Sequence, residues 1–195
     1  MIDDKTFAIL KTIISQIAPV PDEQMEAFLP LISKAIYKKN EYFARYGERQ
    51  RHIGVVVSGL FRLFYIDMNG KEYTKNFIGQ NGFVSAYNSI LKDEPSNLYI
   101  QALSDSEVRL IDYSKWLGLA DTHMSWQILL RKLTEHGYLQ KEKRESDLLF
   151  YDAETRYRNF KKEFPGLDQQ IRQRHIASFL SMSPETLSRI KKSIT

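Results

Sequence analysis

The chain of 195 residues contains no cysteine. This absence excludes disulfide frameworks, thiolate catalysis and the cysteine ligands of zinc and iron–sulfur sites. Long hydrophobic runs are also missing, because apolar stretches such as Val55–Val57 and Leu148–Tyr151 are far shorter than the roughly 20 residues of a membrane helix. The first residues, MIDDKTFAILK, have neither the basic flank nor the apolar core of a secretory signal. We therefore expect a cytoplasmic protein with no membrane partner.

The sequence also has little that supports catalysis. The four histidines, His52, His123, His136 and His175, are not spaced like metal-ligating pairs. No Gly-rich phosphate loop, HExxH motif or nucleophile elbow is present. A cupin-type metalloenzyme needs several convergent His and carboxylate ligands, yet only His52 lies among the predicted strands. We expect no enzyme, no catalytic residue, no metal and no resident cofactor.

The net charge of +4 is confined to the end of the chain. Residues 152–195 carry nine Lys or Arg against five Asp or Glu, whereas residues 1–151 carry 19 of each sign. A neutral body with a basic end favours an anionic partner such as nucleic acid. An ordinary solvated basic face would carry the same charge. Only the residue pattern of this segment can therefore distinguish the two interpretations.

Hydrophobic spacing predicts helices in residues 1–34 and strands after them. Pro19 and Pro21 end a first helix, and Asp22 is placed to cap a second helix that runs through Ile32. From Ala35 to Asp112, short β-prone runs separated by Gly, Asn and Asp predict an antiparallel sandwich or barrel. These runs are Tyr42–Tyr46, Ile53–Val57, Leu60–Ile66, Tyr73–Ile78, Leu98–Leu103 and Val108–Ile111.

A hairpin and a long helix complete this prediction. The residues Asp67-Met68-Asn69-Gly70 join two of the strands, because an Asn-Gly pair tolerates the positive φ of a tight hairpin. After Tyr113 the pattern is helical, and neither proline nor a glycine pair interrupts residues 125–162. A helix of this length cannot bury its apolar stripe on its own barrel, so pairing with a second copy is expected, although its polar middle lacks a strict heptad.

The last segment has the pattern of a helix-turn-helix. Ile176 and Leu180 lie on one face of a short helix, and small polar residues interrupt it at 181–183. Ser183 is suited to the N-cap of a second helix and Pro184 to its first turn. On that helix Leu187, Ile190 and Ile194 point inward, and the opposite face carries Glu185, Ser188, Arg189 and Lys192.

The outward residues suit recognition of double-stranded DNA. Arginine can form two hydrogen bonds to guanine, glutamate can accept from the amino group of cytosine, and serine or threonine can reach base edges or phosphate. Basic side chains and the helix N-terminus can neutralise phosphates. The predicted DNA-binding residues are Arg172, Arg174, Ser183, Glu185, Thr186, Ser188, Arg189 and Lys192, with Lys191 as a further phosphate contact.

The whole arrangement resembles the Crp/Fnr superfamily of bacterial transcription regulators. The resemblance is most specific at residues 176–192 and at the glycine-punctuated strands around Val57-Ser58-Gly59 and Gly79–Gly82. It implies an α+β fold with three parts: an antiparallel β jelly roll like that of cyclic-nucleotide-binding domains at residues 1–120, a dimerisation helix at 121–151 and a helix-turn-helix domain at 152–195. It further implies base reading by Glu185 and Arg189, a hinge near Asp152, a homodimer on two-fold symmetric operators, and RNA polymerase as a further partner.

Two departures from the family pattern modify these expectations. The cyclic-nucleotide pocket of the family has a Gly-Glu pair and a later Arg-Ser or Arg-Thr pair, where this sequence has Ser85-Ala86 and Ser96-Asn97. Without a cation there, a buried phosphate would be poorly compensated, so we expect no cyclic AMP binding in the usual mode and leave the effector unknown. The sequence also ends after the second helix, so we expect no full β-wing.

The missing wing keeps a second function open. A sensory or scaffolding protein could retain the cyclic-nucleotide-binding-like fold without binding DNA. A titration with random duplex DNA at two salt concentrations separates the alternatives, because DNA binding weakens steeply with salt.

Overall fold

The computed structural model describes the backbone of residues 4–194 and the side chains of residues 7–194. Residues 1–3 and 195, at the outer ends of the first and last predicted domains, lie outside the described residues. The helices of the described part are α1 (Asp4–Ser15), α2 (Asp22–Phe28), α3 (Tyr87–Lys92), α4 (Tyr113–Thr122), α5 (Met124–Phe150), α6 (Ala153–Glu163), α7 (Leu167–Gln170), α8 (Gln173–Phe179) and α9 (Pro184–Ser193). The strands are β1 (Ile32–Tyr37), β2 (Tyr42–Ala44), β3 (His52–Ser58), β4 (Phe61–Ile66), β5 (Glu72–Ile78), β6 (Phe83–Val84), β7 (Tyr99–Ala102) and β8 (Ser106–Asp112).

The described strands form two sheets, with the orders β1-β8-β3-β6 and β2-β7-β4-β5. In the first sheet β8 is antiparallel to both neighbours, and Ile111 lies opposite Ile32 on one side and Ile53 on the other. This confirms the antiparallel jelly-roll class, and each of the six predicted β-prone runs overlaps a strand. The boundaries predicted near residues 120 and 151 stay predictions.

The chain divides into two compact units. One unit comprises residues 1–63 and 77–136, and the other comprises residues 64–76 and 137–195. The first unit has two apolar cores, which are made by side chains that alternate inward along the strands and by the helices before and after them. One core contains Phe43, Val56, Phe61, Ile100 and Val108, and the other contains Leu10, Phe28, Ile111, Trp116 and Trp126.

The second unit is mostly helical and builds its own core. Its apolar centre contains Tyr157 and Phe160 from α6, Ile176 and Phe179 from α8, and Leu187 from α9. The rings of Phe160 and Phe179 lie 5.7 Å apart between centroids, a separation at which aromatic pairs attract. The turn at residues 67–70 also belongs to this unit.

Three expectations for the first 40 residues and the sheet were wrong or incomplete. Asp22 does not cap α2, because Pro21 holds the N-cap position without a side-chain cap and the carboxylate of Asp22 pairs with Lys11 at 2.7 Å. The second helix ends at Phe28 rather than at Ile32, since Pro30 has no N–H to continue the helical ladder and lies in a 3₁₀ turn. Strand β1, which begins at Ile32, was not predicted, nor were β6 and α3.

A glycine between β3 and β4 is required by both conformation and space. Gly59 has φ of +99°, and a Cβ atom built on it would lie 2.6 Å from Ser106 Cα. Gly47 has a similar φ of +82° but nothing within 4 Å of its Cβ position. The two glycines therefore share the conformational requirement and differ in the close approach.

We expect Gly59→Ala to lower the free energy of unfolding by at least about 2 kcal/mol more than Gly47→Ala, because only the former adds steric overlap to the strain of a positive φ. Both Trp116 and Trp126 are buried in this unit, so urea denaturation followed by tryptophan fluorescence measures the difference. Equal losses in the two variants would show that the contact with Ser106 relaxes without cost.

Candidate nucleic-acid interface

Helices α8 and α9 are joined by a tight turn of small residues. Ser181 adopts φ of +53°, in the left-handed region that ends many helices. The backbone N–H of Met182 donates to the carbonyl of Ala177 at 3.0 Å, and that of Leu180 donates to Ile176 at 2.9 Å. These bonds satisfy carbonyls at the end of α8, so the chain can reverse within four residues and start α9.

The start of α9 is capped as the sequence predicts. The hydroxyl of Ser183 accepts a hydrogen bond from the N–H of Thr186 at 3.1 Å, and Pro184 holds the first helical position. In addition, the side-chain amide of Gln173 on α8 donates to the carbonyl of Pro184 at 2.9 Å. The cap fixes where α9 begins, and the Gln173 bond holds that end against α8.

The inner face of α9 is buried in the helical unit. Leu187 has 0% of its surface exposed, as has Ile176 of α8, and Ala177 is small where the two helices approach. Ile190 and Ile194 are half-buried. This confirms the inward orientation predicted for these apolar residues.

The opposite face of α9 is open to solvent. Glu185, Arg189 and Lys192 are exposed and Ser188 is half-buried, and Thr186 is half-buried beside the cap. Within the part of the chain that the structure describes, Arg189 and Lys192 form no ion pair. The two cations of this face are thus not tied up in an ion pair with another described side chain.

Glu185 is held in its ionised form. A hydrogen bond from its own backbone N–H, another from the Ser183 hydroxyl and the positive charge of Arg189 lower the pKa of this carboxyl group below its ordinary value. At neutral pH the side chain is therefore a hydrogen-bond acceptor without a proton to donate. This is the state that can accept a bond from the amino group of cytosine.

Basic residues at the start of α8 are also exposed. Arg172 occupies the N-cap position of α8 and Arg174 lies in its first turn, and both are exposed to solvent. Neither residue forms an ion pair among the described residues. They add two positive charges to the unit that carries the open face of α9.

Lys191 lies differently from the phosphate-contacting role first expected for it. Its ammonium group is 3.4 Å from the carbonyl oxygen of Asp168 and 5.7 Å from the ring centre of Tyr157. The spacing could have shown this, because a residue four positions after the buried Leu187 lies on nearly the same helix face. Lys191 therefore braces α9 against its own unit.

The positions of the predicted effector pocket carry no charged group. Ala86 and Ser96 are buried and Asn97 is exposed. The Ser96 hydroxyl donates to the carbonyl of Leu98 at 2.8 Å and so serves the local turn. The hydroxyl of Ser85 is buried and has no hydrogen-bond partner. These four side chains offer two hydroxyls and an amide where a cyclic phosphate would need a cation.

No group of three or more His, Cys, Asp or Glu side chains is close enough to hold a metal ion within the described part of the chain. None of the described helices combines the length and apolar character needed to cross a membrane.

Comparison with known families agrees with the architecture. Residues 34–123 match the family of cyclic nucleotide-binding domains. This match begins in β1, runs through β8 and α4, and ends before α5. No curated protein sequence matches the chain.

Solved structures with the same fold extend over most of the chain. FixK2 from Bradyrhizobium japonicum has a TM-score of 0.73 at 21% identity, with 84% of each chain covered. The c-di-GMP responsive global regulator CLP from Xanthomonas campestris has a TM-score of 0.70 at 16% identity and covers 89% of this chain and 91% of its own. The catabolite activator protein of Thermus thermophilus has a TM-score of 0.55 at 22% identity, with 90% and 84% covered. The fold implied by the Crp/Fnr resemblance is confirmed.

We expect Ser183→Ala to lower the free energy of unfolding by about 1 kcal/mol, because it removes the acceptor of the Thr186 N–H at the start of α9. Thermal unfolding followed by far-UV circular dichroism measures the change. Ser193→Ala is the matched control, since the Ser193 hydroxyl only donates to Ile190 within the last turn of the same helix. A loss no larger than that of the control would mean that the cap contributes nothing to α9.

Proposed function

We propose that the protein is a sequence-specific DNA-binding regulator of transcription that acts as a homodimer. The observation that carries the proposal is the two-sided character of α9, which buries Leu187 and leaves Glu185, Arg189 and Lys192 open to solvent. A capped helix with this pattern, second in a tight helical pair, has the form that enters a DNA major groove. The shared fold with the global regulator CLP supports the same function.

Each residue of the open face has a defined role in this proposal. Arg189 donates two hydrogen bonds to a guanine edge and Glu185 accepts from a cytosine amino group, with Ser188 and Thr186 at neighbouring base or phosphate positions. Arg172, Arg174 and Lys192 contact phosphates, together with the backbone N–H groups around Ser183 at the start of α9. Base contacts set the sequence preference and phosphate contacts set the salt dependence.

The homodimer uses the exposed apolar side chains of α5. Leu139 is 62% exposed and Phe150 is 78% exposed, and Tyr138 and Leu149 are also open to solvent. At 100° per residue these four side chains lie within a sector of about 120° on the helix surface. Large apolar groups in one stripe are covered in most proteins, and a second copy of α5 is the occupant that the two-fold symmetry of a dimer supplies. The two recognition helices would then lie about one turn of DNA apart.

The effector of this regulator is not cyclic AMP bound in the usual mode. Ala86 and Ser96 occupy the places of the ribose-binding acid and the phosphate-binding arginine, and neither can compensate a buried phosphate charge. RNA polymerase, the further partner that the family resemblance implies, stays a prediction.

Sequence-specific DNA binding is tested by selecting a preferred sequence from a random duplex pool. The protein is then titrated with the selected duplex at two salt concentrations. On the selected sequence, Arg189→Ala is expected to cost roughly 1–3 kcal/mol of binding free energy and to relax the preference at one base pair. Binding by the unmodified protein should weaken steeply as salt rises. Fluorescence anisotropy provides both measurements.

Arg49→Ala is the control for this variant, because Arg49 is an exposed arginine in the jelly-roll unit that pairs with Asp93 at 2.6 Å. It should leave both affinity and preference unchanged. If Arg189→Ala weakens all sequences equally, Arg189 is a phosphate contact. If the unmodified protein selects no sequence and binds no DNA at low salt, the protein is a sensor or scaffold that has kept the fold alone.

For the dimer, Leu139→Glu is expected to raise the dissociation constant at least 10-fold. Burial of a leucine contributes roughly 1.5–3 kcal/mol, and symmetry removes two of them. Sedimentation equilibrium at several concentrations measures the constant. Lys141→Gln lowers the charge by the same amount at an exposed position of α5 outside this apolar stripe, and it should leave the constant unchanged. A monomeric unmodified protein, or equal effects of both variants, would contradict this interface.

A further inference from the structure

The tip of the β4–β5 hairpin belongs, by its contacts, to the unit that contains the helix-turn-helix. Residues 64–76, which comprise the end of β4, the turn and most of β5, are grouped with residues 137–195. The turn itself is well ordered by hydrogen bonds, since the Asp67 carboxylate accepts from the N–H groups of Asn69 and Lys71 at 2.9 Å each. The hairpin therefore ends in a turn that its own hydrogen bonds hold in one conformation.

Ser178 on α8 fastens the edge of this hairpin. Strand β5 is the last strand of its sheet, so one side of its backbone has no neighbouring strand within the described residues. On β5, the N–H of Thr74 donates to the Ser178 hydroxyl at 2.9 Å, and that hydroxyl donates to the carbonyl of Glu72 at 3.0 Å. The Ser178 hydroxyl thus makes two hydrogen bonds of the kind that a neighbouring strand would make. It pairs one N–H and one carbonyl group on the edge of β5.

Arg144 on α5 makes a second connection between strand β5 and helix α8. Its guanidinium group donates to the carbonyls of Thr74 and Lys75 on β5, at 3.0 Å and 3.2 Å, and to the carbonyl of Phe179 at the end of α8, at 3.0 Å. It also lies 4.7 Å from the centre of the Phe179 ring. A single planar group therefore contacts the hairpin, α8 and α5 together, which is a geometry that lysine cannot reproduce.

Two effects oppose each other in the contact of Arg144 with the hairpin. Arg144 is largely removed from water, and this burial lowers the pKa of its guanidinium group. Its hydrogen-bond acceptors among the described residues are neutral carbonyls, and its Nε atom is buried without any hydrogen-bond partner. The desolvation cost of Arg144 therefore works against the hydrogen bonds that hold the contact closed.

We propose that Ser178 and Arg144 form a releasable latch that holds the helix-turn-helix to the tip of the β4–β5 hairpin. Strands β4 and β5 continue from this tip into the jelly roll along the chain, so a change in those strands reaches α8 through the latch. Opening the latch changes the mobility of α8 and α9 and thereby the affinity for DNA. The effect on DNA rests on the function proposed above, whereas the latch itself does not.

The absence of cysteine makes the latch directly measurable. Cysteines are placed at Met68, at the exposed turn, and at Gln169, on the exposed side of α7, and both are spin-labelled. Labelled protein is mixed with excess unlabelled protein so that distances within one chain dominate. Pulsed electron spin resonance should give one narrow distance peak. Ser178→Ala and Arg144→Lys should each raise the population outside this peak at least threefold, while Ser193→Ala should leave it unchanged.

Hydrogen exchange supplies a second measurement that does not depend on the labels. The amide of Thr74 should exchange at least tenfold faster in Ser178→Ala, in a protein whose circular dichroism is unchanged. Unchanged exchange and unchanged distances in both latch variants would overturn the proposal. So would an equal loss of protection throughout the unit, because this would mark general unfolding.

Titration of the selected DNA sequence tests the regulatory part. A latch variant with the broadened distances is expected to change the dissociation constant at least threefold. An open latch with an unchanged constant would show that the contact does not regulate DNA binding. If the unmodified protein binds no DNA at all, the function proposed above fails, but the distances and the exchange still decide whether the latch exists.

Discussion

The orientation of α9 depends on the burial of Leu187. This side chain is fully covered, and its seat in the core of the helical unit fixes the rotation of the helix about its own axis. The Ser183 cap fixes where the helix starts, so position and rotation are both determined by a few local groups. The charged residues of the open face then point outward because the opposite face is buried, which is why the proposed base contacts of Glu185 and Arg189 follow from the core.

A second constraint acts at the edge of the sheet. An edge strand must satisfy or conceal its backbone groups, and many proteins do so with charged residues or bulges. Here part of the β5 edge is covered by a helix of the same unit, with Ser178 as both donor and acceptor. The solution couples two elements far apart in the chain, because a group that satisfies an edge also restrains the element from which it comes.

Local signals in the sequence predicted the helix-turn-helix and most strands. These signals depend only on residues that are close in the sequence. Examples are the pair Ser183-Pro184 and the three- to four-residue spacing of Leu187, Ile190 and Ile194. Strand β1 was missed because its residues pair with β8, some 70 positions later, and have little pattern of their own. The contact of Ser178 with Thr74 spans 104 positions, and a single serine has no signature that would reveal it. Local order is readable from one sequence, whereas pairing between distant segments is not.

The neighbouring basic residues of α5 show how the choice of partner sets the role of a charge. Lys143 is partly buried, which lowers its pKa, but the carboxylates of Glu163 and Asp147 at 2.6 Å and 3.2 Å outweigh this and raise it. Loss of Lys143 would leave both acids without their cation. The ion pair of Lys143 with Glu163 therefore favours a closed contact between α5 and α6. Arg144, one position later, bonds to carbonyls that have no charge to compensate. Its departure would leave neutral carbonyls rather than unpaired charges behind, which costs less and fits the release proposed for this contact.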